Sequence, residues 1–304
     1  MKGLIIQGPL LSKGRTGKTI GTSFHDVTDN DVVEYDCIEN IKRIYDDNVN
    51  FYDHIVCVTW DNQASVLINR LQKILPKNCI LLISDETKDM LAKGGVIGGN
   101  NDYRQFLSIN KGVTFLQGKG CKYIAKVRTD QYLDCKLLCL DAIEKLENRS
   151  SRSIVVPWRI NEFNRFTFIP DFYFVARTQD MLDFSDKFLS LPDVTGFIHT
   201  NIFYKWKLKK GKQPKVIRKF IRYTDRFGLN FISHNLLSSD KDFITSDSII
   251  AKSIIWRGDK IDESFLRDKC FISIRHDDMT RVSMLHVFLK VYAHLIIKIK
   301  RRFV

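Results

Sequence analysis

Lys122-Tyr123-Ile124-Ala125-Lys126-Val127-Arg128-Thr129-Asp130 is the stretch that decides the fold. It reads as a buried strand that delivers an arginine and a carboxylate at its exposed end. In an open α/β sheet, ligands bind beyond the carboxyl ends of the strands. A carboxylate placed there can hold the divalent ion that neutralises a diphosphate leaving group. An ordinary strand-end turn, with Arg128 and Asp130 simply paired at the sheet edge, is the competing interpretation of the same residues.

Outward from this strand, strand-like runs at 3–7, 54–59, 79–84 and 123–127 alternate with helix-like runs at 37–45, 63–75 and 103–116. That alternation is the pattern of a doubly wound, Rossmann-like sheet. A helix at 135–146, strands at 153–156 and 172–175, and a helix at 179–189 extend it. Past Pro192 the pattern turns mainly helical and basic, which divides the chain at 192 into residues 1–192 and 193–304, packed as one unit. Loops at 93–101 and 225–242 are placed as covers for a site.

A chain of 304 residues with 44% hydrophobic composition buries a substantial core, which excludes disorder over most of it. The opening Met1-Lys2-Gly3-Leu4-Ile5-Ile6-Gln7-Gly8-Pro9 is too short for a signal-peptide core and is closed by Gly-Pro, so it reads as the first strand of a cytoplasmic protein. Seven cysteines include no Cys-x-x-Cys pair, and disulfides or structural zinc are not expected.

The net charge of +13 implies an anionic partner: nucleic acid, a phosphorylated small molecule or acidic lipid. Residues 205–222 carry nine basic side chains and no acid. Residues 284–304 read as an apolar helix interrupted by Lys290 and His294 and finished by Lys298, Lys300, Arg301 and Arg302. This helix is too short and too interrupted to span a bilayer. It suits an amphipathic helix on an anionic leaflet, or a packed terminal helix with a solvated basic end.

Gly14-Arg15-Thr16-Gly17-Lys18-Thr19 ends like a phosphate-binding loop. The full pattern requires glycine at position 12, where Ser12 stands, and Gly21 interrupts the helix that should follow. The segment therefore reads as a basic loop.

Five blocks together resemble the WavE lipopolysaccharide synthesis family of bacterial glycosyltransferase-like proteins. They are Ile5-Ile6-Gln7-Gly8-Pro9, Val58-Thr59-Trp60, Asn101-Asp102-Tyr103-Arg104-Gln105-Phe106-Leu107-Ser108, Lys126-Val127-Arg128-Thr129-Asp130 and Ile169-Pro170-Asp171-Phe172-Tyr173-Phe174. They cover most of residues 3–190. Departures are Asp102-Tyr103 at the second Asn position, Val58 in place of Ser, and only a loose match at Thr245-Ser246-Asp247-Ser248 to the family's late acidic block. The resemblance implies a GT-A type glycosyltransferase fold with a mainly helical, basic C-terminal part. It implies a sugar moved from a nucleotide-sugar donor onto a glycolipid or glycan acceptor (lipopolysaccharide, O-antigen or capsule) at the inner face of the cell membrane. On that reading 1–192 is the donor-binding catalytic domain and 193–304 the acceptor- and membrane-associated part.

Sugar transfer then suggests roles for residues. Charge builds on the departing phosphate, so fixed donors or a cation must face it. Asp130 is the choice for a Mn²⁺ or Mg²⁺ ligand, weakly held or dispensable because only Asp134 lies nearby and the usual Asp-x-Asp pair is absent. Arg128 can reach a phosphate or anchor Asp130. Arg104 and Gln105 sit at a helix start that favours anions, and Asn101 either joins them or caps that helix. Gln7 and Gly8 offer a side-chain bond and a close backbone approach to a base or ribose, and Trp60 a stacking surface, although a turn and a buried core residue would look the same. For an inverting transfer a carboxylate must take the acceptor's proton. Asp171, beside an aromatic strand, is the first candidate and Asp247 the reserve. No nucleic acid is expected as a partner on this reading. The rival is a nucleic-acid-binding protein that uses 205–222.

Overall fold

The computed structural model describes residues 1–19, 32–84, 101–157, 160–162, 166–168, 171–189 and 243–261. The basic segments 205–222 and 284–304, the loop 225–242 and most of the loop 93–101 lie outside the described residues, as do Asn100 and Pro170.

A seven-stranded sheet forms the frame. Its strands are β1 (Lys2–Gln7), β4 (His54–Trp60), β5 (Ile80–Ile83), β6 (Tyr123–Arg128), β8 (Ile154–Val156), β11 (Tyr173–Arg177) and β12 (Phe243–Thr245). They lie in the order β12-β8-β11-β6-β1-β4-β5. Pairing is parallel except that β11 runs antiparallel to both β6 and β8. Three smaller sheets among the described residues, two of them two-stranded and one three-stranded, sit outside this sheet. In the first, β2 (Leu11–Gly14) pairs with β3 (Val33–Asp36). In the second, β9 (Ile160–Glu162) pairs with β10 (Phe166–Phe168). The third is a hairpin of β13 (Ile255–Trp256) and β14 (Asp259–Lys260), whose β13 also pairs with β7 (Gln131–Tyr132).

The interior strand β1 is buried on both faces, which suits its continuous apolar run. Leu4 and Ile6 point to one side and Ile5 to the other, as a period of two requires. The first face is covered by α1 (Ile38–Asn48), α2 (Ser65–Ile74) and α4 (Cys135–Glu147), through Ile41, Leu71 and Leu138 among others. The second is covered by α3 (Asn101–Gln117) and α5 (Thr178–Leu189), through Phe106, Val113 and Phe184. Each such buried side chain contributes roughly 1.5–3 kcal/mol of transfer free energy.

Two helix starts are fixed by short acids. Asp36 accepts from the amide of Ile38 at 2.9 Å and Asp134 from that of Leu137 at 2.8 Å. Asp134 is thus an exposed helix cap. The alternating α/β pattern with a mainly parallel sheet agrees with the sequence reading, and each strand and helix read up to 189 is present within a few residues.

Beyond 192, the described residues form β12, the short helix α6 (Ser248–Lys252) and the 255–260 hairpin. β12 joins the main sheet beside β8. Gly14–Thr19 runs as the end of β2 and a three-residue 3₁₀ turn, with Lys18 paired to Asp259 at 2.9 Å. No helix among the described residues is long and apolar enough to cross a membrane.

Candidate functional site

The chain leaves β1 towards β4 and β5, then returns to place β6 on the other side of β1. The two neighbours therefore send their connections in opposite directions, which makes their carboxyl ends the topological switch point where ligands bind in such sheets. Gln7 and Arg128 are register partners there.

Gly8 turns the chain out of β1 with φ of 146°, and a Cβ would lie 2.5 Å from Thr129 Oγ1, so no other residue fits. The amide of Thr129 donates to the Gln7 carbonyl at 3.0 Å and its hydroxyl to the Pro9 carbonyl at 2.8 Å, which locks the two strand ends together. From below, Asn40 of α1 donates to the carbonyls of Thr129 and Gln131 at 2.8 and 2.7 Å.

Asp130 lies within this frame, 1% exposed. Arg128 holds it with a fork, Nε to Oδ1 at 2.8 Å and a terminal nitrogen to Oδ2 at 2.9 Å. Its Oδ2 also accepts from Ser12 Oγ at 2.9 Å, from Arg257 at 3.0 Å and from Trp256 Nε1 at 3.3 Å. Burial opposes ionisation, but the Arg128 guanidinium, helped by Arg257 and Ser12, holds the carboxyl far below the usual range.

The remaining arm of Arg128 donates to Asp171 Oδ2, which also accepts from Gln105 Nε2. Burial works against the Arg128 charge, and the two carboxylates raise its pKa despite that. Asp171 Oδ1 takes no bond among the described residues. Beneath it Lys126, wholly buried, donates to the Asp171 backbone carbonyl and lies 5.1 Å from the Phe174 ring. Burial drives this lysine down to about 7, against the pull of Asp171.

Three unpartnered oxygens lie near these strand ends among the described residues. Gln7 is 5% exposed, yet its Oε1 accepts nothing there, and Thr59 Oγ1, one residue before the end of β4, and Gln131 Oε1, next to Asp130, are likewise without a partner. A buried amide oxygen left unpaired costs roughly 1–3 kcal/mol, and in a native structure it calls for an explanation.

The sequence candidates thus divide. Gln7, Gly8, Arg128, Asp130, Gln105 and Asp171 meet at the switch point, although they span more than 160 residues of chain. Asn101 opens α3 and Arg104 lies in its first turn, half-buried. Trp60, 8% exposed, belongs to the apolar cluster with Ile83, Phe106 and Leu107.

Asp247 stands apart. It follows β12, three strand positions from β6, accepts from the amide of Ile249 at 2.9 Å as the cap of α6, and its own amide donates to Asp141 at 3.3 Å. No hydrogen bond or ion pair among the described residues joins it to Asp130 or Asp171.

Sequence reasoning did not find Ser12, Trp256 or Arg257. The signal for the last two was the two-residue turn Arg257-Gly258 between strand-like pairs. Its φ angles of 48° and 89° are those of a type I′ hairpin.

A divalent cation needs oxygen ligands free to turn towards it. Both oxygens of Asp130 are taken by donors, Asp171 is bonded to the same arginine, and two guanidiniums would repel the ion. No group of three His, Cys, Asp or Glu side chains suited to a metal occurs among the described residues. The residues as placed do not fit a Mn²⁺ or Mg²⁺ ion at Asp130.

No family model and no curated protein matches the chain. Among solved structures it is similar to a 4-diphosphocytidyl-2C-methyl-D-erythritol synthase from Anaerococcus prevotii, with 11% identity, 82% of this chain and 90% of that chain covered and a TM-score of 0.35. A cytidylyltransferase from Leptospira borgpetersenii gives 15% identity, 69% and 71% coverage and a TM-score of 0.33. A mannose-1-phosphate geranyltransferase from Thermus thermophilus gives 11%, 82% and 76% with a TM-score of 0.35. Likenesses this loose assign no reaction, and the functional reading rests on the site itself.

Proposed function

We propose that the protein is a glycosyltransferase of the GT-A type that takes a nucleotide-sugar donor in the crevice between β1 and β6. Its acceptor would be a glycolipid or glycan of the bacterial envelope at the inner membrane face, in keeping with the WavE family that its sequence resembles. The observation that carries the reading is the unpaired, buried amide oxygen of Gln7 at a switch point walled by an Arg128–Asp130–Asp171 array. An acceptor atom held ready beside guanidinium groups suits a ligand with an N–H or O–H at one end and phosphate at the other.

In an inverting transfer the acceptor oxygen bonds to the anomeric carbon while the bond from that carbon to the phosphate oxygen breaks. The nucleoside diphosphate, or the monophosphate of a CMP-sugar, leaves with the electron pair, and the acceptor's proton passes to a carboxylate. Asp171 suits that last role because its Oδ1 takes no bond among the described residues while Arg128 and Gln105 hold Oδ2 and fix its orientation. Gln7 would accept from the base or ribose, and Gly8 allows the backbone to approach it closely.

The test is thermal stabilisation by a panel of UDP-, GDP-, CMP- and dTDP-sugars, for the natural protein and for Gln7→Leu. One nucleotide class should raise Tm, and the variant should lose the shift while folding normally. Equal silence across the panel would sink the donor reading.

A further inference from the structure

We infer that Arg257, together with Arg128, binds the diphosphate of the ligand directly and stands where a divalent cation would otherwise be required. The inference rests on the donor reading above and adds a binding residue to it, with a consequence for metal dependence.

Three observations support it. First, the only carboxylates gathered at the crevice among the described residues, Asp130 and Asp171, are both engaged by Arg128, and Asp130 also by Arg257. Carboxylates committed in this way serve guanidinium groups, and Asp130 is a positioning residue that sets the two arginines side by side.

Second, Arg257 occupies the first central position of its turn at φ of 48°. Asn, Asp or Gly is the inexpensive choice there, and a bulky residue is strained. An arginine at that point has a use for its side chain. The guanidinium donates from Nε to Ser12 at 3.0 Å, from one terminal nitrogen to the Arg15 carbonyl at 2.7 Å and from the other to Asp130 at 3.0 Å. A guanidinium has five N–H donors, so both arginines keep donors to spare.

Third, the turn is fixed to the crevice by its backbone: Arg257 N donates to the Asp130 carbonyl at 2.9 Å, and Trp256 packs edge-on to Phe172 at 5.4 Å. Glycine at position 14 leaves the room that the guanidinium fills, since a Cβ there would lie 2.4 Å from it. Oriented guanidinium forks match phosphate oxygens in pairs, and they need no reorganisation when the leaving group gains charge.

The experiment is calorimetric titration of UDP, GDP, CDP, dTDP and inorganic pyrophosphate, each in EDTA and in Mn²⁺, for the natural chain, Arg257→Asn and Arg257→Lys. Asn suits the left-handed turn, so Arg257→Asn should fold, as a melting curve will verify. Expected is a nucleoside diphosphate whose Kd differs by less than about threefold between EDTA and Mn²⁺. The same Kd should rise about 10–100-fold in Arg257→Asn, the loss of charge-assisted bonds to phosphate, and stay raised in Arg257→Lys. Binding that appears only with Mn²⁺, or that survives Arg257→Asn unchanged, overturns the inference and leaves the donor reading intact. Pyrophosphate binding in EDTA with no nucleotide preferred would keep the arginine site and overturn the donor reading. No binding by any probe overturns both.

Discussion

The crevice at β1 and β6 and the far edge of the sheet at β12 each end in an aspartate after a strand, yet the two carboxylates do opposite work. Asp130 is sealed from solvent among two arginines, a hydroxyl and an indole. Asp247 is exposed and caps a five-residue helix, with the neighbouring pair Asp141–Lys145 at 2.7 Å on the surface of α4. Surface pairs and caps of this kind stabilise modestly and need no further function. Buried ion networks repay their desolvation only when every member is satisfied, and an apolar replacement is often no less stable. The cap and ion pair at the outer edge are accounted for by folding, whereas on the reading proposed above the arrayed charges and the unpaired Gln7 oxygen of the crevice are accounted for by a ligand.

Arg128→Ala breaks this contrast most severely. It strands two carboxylates at once and should cost about 3–5 kcal/mol in urea unfolding. Should the loss match that of an exposed pair, the network would be looser than its distances imply.

Lys126→Met sharpens the comparison through pH. The folded state holds this amine near 7 and the unfolded chain near 10.5, so between those values the unfolded state binds more protons and stability rises with pH. Below 7 both states are protonated and the burial penalty is fully present. The Tm difference, variant minus natural, should therefore be most positive below pH 7 and shrink towards pH 10.5; a difference flat with pH would contradict the buried amine. Asp130, lowered from 3.8, acts on the acid side, where its stabilisation is lost as pH falls below that value.

At the other edge, Asp247→Ala should cost only about 1 kcal/mol, the loss of one helix cap, measured by urea unfolding, and leave ligand binding as it was.

The smallest effect on stability and the most informative is expected from Gln7→Leu. Removing a buried unpaired oxygen should leave the unfolding free energy within about 1 kcal/mol of the natural value or raise it. The same change should abolish the donor-induced Tm shift.

Much of this frame was legible in sequence, because apolar runs such as those in β1, β4 and β6 have one sensible place in an alternating α/β chain. Arg128 and Asp130 were legible as a strand-end pair. Arg257 was not legible: it lies 127 residues from Asp130 and comes to it only through the pairing of β13 with β7. Arg257-Gly258 taken alone reads as an ordinary surface turn. Pattern ranked Asp171, beside an aromatic strand, ahead of Asp247, and burial and partners separate the two further in the structure. The basic loop at 14–19 mimicked a phosphate site because Gly17-Lys18-Thr19 matches the end of a nucleotide-binding loop, whereas in the structure Gly14 and Gly17 make room for Arg257 and for the Asp259–Lys260 backbone.

The most direct measurement is a crystal structure of the protein with whichever nucleotide sugar stabilises it most. Its diphosphate should lie against Arg128 and Arg257, with no ion between it and Asp130, and Gln7 Oε1 should accept from the nucleoside. A ligand seated away from β1 and β6, or a cation bridging Asp130 to the phosphates, would contradict the proposed site.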